Sequence, residues 1–334
     1  MNIDLDALRA IEEEHGVGFE EMQQRIGRAL LHTYHEYGNR LAPNEKVRID
    51  IDQETGEVSV VIYTEDEEGN VLKERDATPW NFAVNAIRVV RDTIHQVIRN
   101  SDIGRVFDQY APLERSVVSG IVEADAMANA KGIVKVRIGS ERDFCEGYLL
   151  PNEQIPGEKL KHGQRIKCYV VNVNRHQRGV DINLSRTHPE MVSGLFKLEI
   201  PECASERVEI VSIAREAGHR SKISVRPKDP GLNAKGACIG PRGQRINAIS
   251  EDLGGEKIDI IDYDEDPAKY VGNALAPSRV VSVEILDREE QRARVVVPDY
   301  QLSLAIGREG QNARLAARLT GWKIDIHSDA EATN

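Results

Sequence analysis

Two hexapeptides carry the chemistry in this chain: Ile239-Gly240-Pro241-Arg242-Gly243-Gln244 and, 67 positions later, Ile306-Gly307-Arg308-Glu309-Gly310-Gln311. Glycine has no Cβ, so a Gly-x-x-Gly corner brings backbone close to a flat or charged ligand that any side chain would hold away. A helix beginning just past such a corner offers unpaired N–H groups and the positive end of its dipole, and both favour phosphate. Cations stand where that phosphate would lie: Arg245 follows the first corner, and Arg314 and Arg318 follow the second. Residues 207–245 hold nine Lys and Arg against three Asp and Glu, a cationic stretch in a chain of net charge −11. The ligand implied is a phosphodiester backbone, and the competing reading is a pair of ordinary structural turns.

The flanks supply the elements that must position the corners. Lys257-Ile258-Asp259-Ile260 is answered by Lys323-Ile324-Asp325-Ile326, with one residue of slippage. Apolar runs at 208–213 and 222–225 surround a polar turn, as do runs at 280–286 and 293–297. Each copy therefore reads strand, turn, strand, helix, Gly-x-x-Gly, helix, strand, the mark of a duplicated unit.

This pattern resembles the KH domain, whose Gly-x-x-Gly loop clamps about four nucleotides of single-stranded nucleic acid. The bacterial form begins with a helix, and residues 189–198 and 267–275 supply one to each copy. In the first copy the resemblance implies RNA contacts from Lys235, Gly236, Ile239, Gly240, Pro241, Arg242, Gly243 and Arg245, with Arg242 meeting a phosphate. In the second it implies Ile306, Gly307, Arg308, Glu309, Gly310, Gln311, Asn312 and Arg314. Glu309 departs from a fully basic loop. The second copy is therefore expected to lean on Arg308, base edges and helix N–H groups. Units joined so closely imply a rigid pair reading one continuous RNA strand.

Charge separates this RNA half from the rest. Residues 1–115 hold 13 basic and 23 acidic side chains, so −10 of the net −11 resides there. Within that stretch Leu5, Leu8 and Ile11 share a helical face, and Phe19, Met22, Ile26, Leu30 and Tyr34 define a longer helix ended by Gly38. Period-two alternation follows at Val47, Ile49, Ile51, then Val58, Val60, Ile62, then Val71-Leu72. Thr78 and Pro79 are expected to cap and open a helix with the stripe Trp80, Val84, Ile87, Ile94 and Ile98. A shorter helix is expected at 101–110, closed by Pro112. His32 and His35 lie a turn apart without a third ligand and read as helix-surface positions, and the acidic run at 65–68 reads as a solvated hairpin turn. No catalytic constellation is visible.

Between the two halves, short strands at 117–122, 133–138, 144–150, 166–173 and 180–184 predict a small barrel of the oligonucleotide-binding type. Such barrels stack bases on aromatic faces within a basic groove. The aromatic candidates are Phe144, Tyr148, Tyr169 and His176, with Arg142, Arg175 and Arg178 near the rims. Strand alternation sends about half of those aromatics inward. Phe144 and Tyr148 are the barrel positions kept as RNA contacts.

Other features exclude classes. Cys145, Cys168, Cys203 and Cys238 show no C-x-x-C spacing, so they read as reduced thiols rather than zinc ligands. No apolar run approaches the roughly 18 residues of a membrane span. Residues 1–10 lack a basic start and an apolar core, so no secretory signal is expected.

The run Glu146-Gly147-Tyr148-Leu149-Leu150-Pro151, with Gln154-Ile155-Pro156-Gly157-Glu158, Gly163-x-Arg165-Ile166 and Leu184-Ser185-Arg186-Thr187, resembles the NusA family of bacterial transcription termination/antitermination factors. The order of acidic N-terminal domain, ribosomal S-one-type barrel, KH and KH matches that family, and Trp322-Lys323-Ile324-Asp325-Ile326 supplies the last strand. The fold implied is multidomain α+β: an acidic RNA polymerase-binding domain at 1–115, a five-stranded OB-type RNA-binding barrel at 116–187, and KH domains at 188–264 and 265–334. The function implied is non-enzymatic, cytoplasmic and monomeric, without cofactor, metal or membrane. Such a factor docks on the RNA polymerase core, takes single-stranded nascent RNA, and joins other Nus factors in pausing, termination and antitermination. Longer family members add acidic C-terminal repeats that mask the RNA surface, and with the sequence ending at Asn334 that masking is not expected.

Two other classes compete. Exoribonucleases also combine KH units with this barrel, but with the KH unit first and a catalytic core attached. No Gly-x-x-x-x-Gly-Lys-Ser/Thr, His-Glu-x-x-His or clustered acidic metal site is apparent here. An RNA chaperone without polymerase contact fits the RNA half equally well and is separated only by the N-terminal domain.

Overall fold

The computed structural model describes residues 1–36, 41–141 and 143–330. Gly38, expected to end the second helix, and Arg142, expected at a barrel rim, lie outside the described residues. The chain divides into two compact units: Met1–Gln109 with Arg175–Gly179, and Tyr110–Asn174 with Val180–Asn334.

In the first unit, helices Leu5–His15 and Phe19–Glu36 precede an antiparallel sheet of Lys46–Ile51, Val58–Glu65 and Val71–Asp76, in that order. Asp4 caps the first helix by accepting from the Ala7 amide, and Gly16 at φ 68° ends it. Met22, Ile26, Leu30 and Tyr34 form the buried stripe read from the sequence, packed with Val58 and Val60 of the central strand.

The last helix of this unit differs from its sequence reading in three ways. It begins at Phe82, because Thr78 turns its hydroxyl to accept from the Val60 amide rather than capping. Its buried stripe is Phe82, Ala86, Val90 and Val97, while Trp80, Val84 and Ile87 are 96%, 75% and 60% exposed. Apolar residues line two faces of the segment, so periodicity alone cannot choose between them, and the face carrying small Ala86 is the one that packs. No second helix starts at Ser101. One helix runs Phe82–Tyr110, and the Ser101 hydroxyl donates to the His15 carbonyl instead of capping.

In the second unit the barrel strands are Val117–Glu123, Val134–Gly139, Phe144–Leu149, Arg165–His176 and Gly179–Ser185. They close in the order first, second, third, fifth, fourth, with the third and fifth parallel. Two copies of one topology follow. Helix Pro189–Glu199 precedes a sheet in which Arg220–Pro227 pairs antiparallel with Val208–Glu216 and parallel with Lys257–Asp262. Helix Pro267–Ala274 precedes the equivalent sheet, with Arg292–Val297 between Ser282–Asp287 and Lys323–Ser328. The multidomain α+β architecture thus consists of an N-terminal mixed domain, a closed five-stranded barrel and two tandem repeats.

Within this unit the barrel and both repeats are joined by buried side chains. Tyr169 of the barrel enters the core of the first repeat beside Met191, Leu195 and Phe196. Arg186, 2% exposed, donates to Glu158 and to the carbonyls of Lys167 and Asp252. Ala214 and Ile261 of the first repeat lie in one core with Tyr270, Leu315, Ala316 and Leu319 of the second. Fully buried Lys222 reaches across to the Ala276 carbonyl at 2.6 Å. Buried donors on carbonyls and shared apolar cores resist hinge motion, because separating them would strand polar groups and expose apolar surface.

Candidate nucleic-acid interface

Helix Ala234–Ile239 leads into the first corner, started by Asn233 accepting from the Gly236 amide. The chain then turns at Gly240 (φ 73°, ψ 174°), Arg242 (φ 51°, ψ 24°) and Gly243 (φ 76°, ψ 12°) into helix Gln244–Asp252. At the second corner Gly307 (φ 77°, ψ 171°), Glu309 (φ 53°, ψ 27°) and Gly310 (φ 73°, ψ 14°) repeat these angles before helix Gln311–Thr320. Three of four residues at each corner have positive φ, which only glycine adopts without strain. The glycines are therefore requirements of a backbone shape, and the shape is duplicated.

The predicted side chains divide into outward and inward groups. Arg242, Arg308 and Glu309 are exposed at the corners, and Pro241 is exposed beside Arg242. Lys235 is part-buried with its ammonium 4.0 Å from Asp262, and Ile239 packs against the first core. Gly236 sits inside the helix, where a Cβ would lie 2.9 Å from the Asn233 amide nitrogen. Ile306 stays 39% exposed.

Four of the expected contacts are engaged within the protein. Arg245 donates to Glu202 and to the Ala237 carbonyl, each at 2.8 Å, bracing the helix before the corner. Asn312, 2% exposed, donates to the carbonyls of Leu275 and Ala305. Its backbone passes so close to Gly307 that a Cβ there would lie 2.7 Å from its amide nitrogen. Gln311 and Arg314 both donate to Glu216 of the first repeat, at 2.9 and 2.7 Å. Those bonds from Arg314 and Gln311 hold the Glu216 carboxyl below its ordinary value, against the opposing effect of burial.

Docking of the repeats creates a groove of about 750 Å³ beside the second corner. The corner residues Gly307, Arg308 and Glu309 form one wall, with Leu304 of the preceding helix. Glu216, His219, Arg220 and Lys257 of the first repeat form the other. None of these four was among the RNA contacts expected from the sequence, where Lys257 stood only as part of a repeated strand. Leu304, 46% exposed, supplies apolar surface beside the corner. The local signal for Leu304 was an apolar residue two positions before Ile306 on the short helix Leu302–Ile306. Arg220 is engaged by Asp259 through two bonds of 2.7 and 2.9 Å, and exposed Arg314 is engaged by Glu216, which leaves Lys257 and Arg308 as the exposed groove cations outside those two pairings.

The barrel presents a different face. Alternation along Phe144–Leu149 turns Phe144, Glu146 and Tyr148 outward and buries Cys145 and Leu149. Phe144 is 44% exposed, with the Arg137 guanidinium 5.8 Å from its ring centre. The Tyr148 hydroxyl donates to Glu146 at 2.5 Å, and burial followed by that bond pushes its phenol up. Lys135 pairs with Glu146 at 2.6 Å and Arg137 with Glu123 at 3.0 Å. The cations beside the two aromatics are therefore matched by carboxylates. Tyr169 is buried and stacks on His188 with ring centres 4.5 Å apart, which removes it from the base-stacking candidates. His176, Arg175 and Arg178 are exposed.

All four cysteines are free and buried. Among the described residues no three His, Cys, Asp or Glu gather as metal ligands. No described helix is long and apolar enough to cross a membrane.

Comparison with known proteins agrees with this geometry. Residues 186–263 match the NusA-like first KH domain and residues 267–334 the NusA-like second KH domain. The transcription termination/antitermination protein NusA of Mycobacterium tuberculosis is 52% identical over 331 residues, spanning 99% of this chain and 94% of that protein. The protein of the same name from Bacillus subtilis is 40% identical over 351 residues, spanning 98% and 91%. That from Thermus thermophilus is 41% identical over 283 residues, spanning 85% and 70%.

Proposed function

This chain belongs to the NusA family of transcription termination/antitermination proteins, and from that premise we propose that it is a non-enzymatic elongation factor holding RNA polymerase at one end and emerging transcript at the other. The observation that carries the RNA part is the duplicated corner, whose backbone angles agree within a few degrees in the two KH domains. Each corner places the start of a helix, the positive end of its dipole, beside exposed Arg242 or Arg308. A single strand fits such a site because its phosphates reach the amides while its bases turn toward apolar surface such as Leu304 and Ile306. The buried joints of the second unit support a fixed spacing between the corners and hence one continuous strand. Residues 116–187 would add contacts through Phe144 and Tyr148, on a face whose cations are paired with carboxylates.

Polymerase docking is assigned to residues 1–115. Their surplus of acidic side chains would not compete for transcript and suits basic partner surfaces. The exposed apolar residues Trp80, Val84 and Ile87 make the kind of patch that marks a protein-binding face. In this role the chain would prolong pauses, assist hairpin-dependent termination and act with other Nus factors in antitermination.

The test is the lifetime of a hairpin-stabilised pause by purified bacterial RNA polymerase with the whole chain added. The pause should lengthen, and Trp80→Ala should remove that effect while leaving RNA affinity intact. A chain that binds RNA but leaves pausing unchanged would point instead to an RNA chaperone.

A further inference from the structure

Glu216 is a residue of the first KH domain whose carboxylate is spent on the second. It ends strand Val208–Glu216 and accepts from Gln311 Nε2 at 2.9 Å and Arg314 Nε at 2.7 Å, with Arg318 Nη1 at 3.9 Å. Gln311 and Arg314 lie on the first turn of the helix that leaves the second corner, and Arg318 lies on its last turn. Gln311 and Arg314 are the groups a phosphate at that corner would use. The carboxylate is 19% exposed and lines the groove that the corner opens into.

The domains do not need this ion pair to stay together. Beneath it, Ala214 and Ile261 share an apolar core with Leu315, Ala316 and Leu319, and the Tyr270 hydroxyl donates to Ser224. Lys222 makes a further buried link to Ala276. Arg314 and Arg318, by contrast, are 43% and 56% exposed, where an ion pair adds little to stability. What Glu216 changes most is the charge met by a ligand entering the groove, where Glu309 already stands against Arg308.

We propose that Glu216 is a specificity-determining residue of the RNA interface. Its carboxylate occupies the Gln311 and Arg314 donors in place of a phosphodiester, so a strand reaches them only by displacing it. A polyanion bringing charge alone meets this competitor without compensation. A strand whose bases also pack on Leu304 and Ile306 has the additional contacts to displace it. The second corner thereby favours RNA with properly placed bases over phosphate as such. This inference rests on the RNA reading above.

The experiment uses the full chain and its Glu216→Gln variant, which keeps shape and a hydrogen-bond acceptor while removing the charge. Two probes are titrated over a range of salt: a single-stranded RNA and inorganic polyphosphate of matched charge. Glu216→Gln should bind polyphosphate about five- to tenfold more tightly and RNA by a smaller factor, with the salt slope for RNA steeper by about 0.7, one added phosphate contact. In an Arg314→Gln background the substitution should bring no gain, because the donor being contested is gone. Unchanged or weaker binding of both probes by Glu216→Gln, while the wild type binds RNA, would make the carboxylate a simple brace and overturn the proposal alone. A wild-type chain that fails to bind RNA, or binds it without salt dependence, would overturn the RNA reading and this inference together.

Discussion

Gly243→Asp should separate RNA binding from folding at the first corner. Sequence treats Gly240 and Gly243 as equivalent, but packing distinguishes them. A Cβ on Gly240 would lie 2.7 Å from Cγ of Arg245, whose guanidinium braces Glu202 and Ala237, so substitution there disturbs the scaffold. A Cβ on Gly243 meets nothing nearer than Asn247 Nδ2 at 3.6 Å, an ordinary contact. What remains is backbone strain at φ 76°, about 1–2 kcal/mol for a left-handed residue and toward the low end for Asp. The added carboxylate would stand roughly 6 Å from a bound phosphate, a repulsion of about 0.7 kcal/mol in bulk water and about 2.8 kcal/mol at an effective dielectric of 20. The midpoint exceeds the 1.4 kcal/mol of a tenfold change, so affinity should fall by at least about tenfold. Gly243→Ala carries the same strain without the charge and should stay within about threefold of wild type, an affinity change of about 0.6 kcal/mol. Titration of labelled single-stranded RNA measures both, with thermal unfolding as the folding control. In the wild type, about six neutralised phosphates at about −0.7 each predict a slope near −4 for log affinity against log salt. A folded Gly243→Asp protein with wild-type affinity and slope would refute the assignment of this corner to RNA.

At the second corner, Gly307→Ala should destabilise by about 2–4 kcal/mol in urea unfolding, since positive-φ strain adds to an overpacked contact; its Cβ would face the Asn312 backbone at 2.7 Å. Gly310→Ala, whose Cβ meets only Arg314 Nη1 at 4.0 Å, should lose no more than about 1–2 kcal/mol from strain. Lys222→Met leaves the Ala276 carbonyl without its bond while Asp259 keeps Arg220, so unfolding free energy should fall by about 1–3 kcal/mol, the usual penalty of one stranded buried group. Acidification tests Glu216. A carboxyl held low by Arg314 contributes stability above its unfolded value near 4.5 and loses it as pH falls through the lower folded value. Hydrogen-exchange protection of Gln311–Thr320 should therefore drop below that pH in wild type more than in Glu216→Gln, and equal profiles would deny the linkage.

Much of the site was legible because its requirements are local. Positive φ at Gly240, Gly243, Gly307 and Gly310 can be read from residue type alone, since only glycine meets that demand without strain. The barrel strands were legible for a related reason: alternation between Phe144 and Leu149 reports one buried and one open face whatever lies across the sheet. The duplication was visible because both copies repeat the same local demands in the same order.

Tertiary structure decided which of the marked side chains face a ligand. Arg245 and Asn312 sit in the motif by sequence, yet docking turns one onto Glu202 and the other onto Leu275 and Ala305. Glu216 meets Arg314 across 98 positions, a pairing that no local periodicity records. The groove with His219 and Lys257 exists only once the two KH domains pack. The helix at Phe82–Tyr110 shows the same limit, for both of its apolar faces have helical period and only the opposing sheet selects Ala86 over Trp80. Backbone conformation answers to neighbours along the chain, whereas exposure, pairing and charge within a groove answer to neighbours in space. By itself the sequence therefore determined where RNA-type corners lie and in what order the domains run. Only the packed structure determined which cations remain open to a strand.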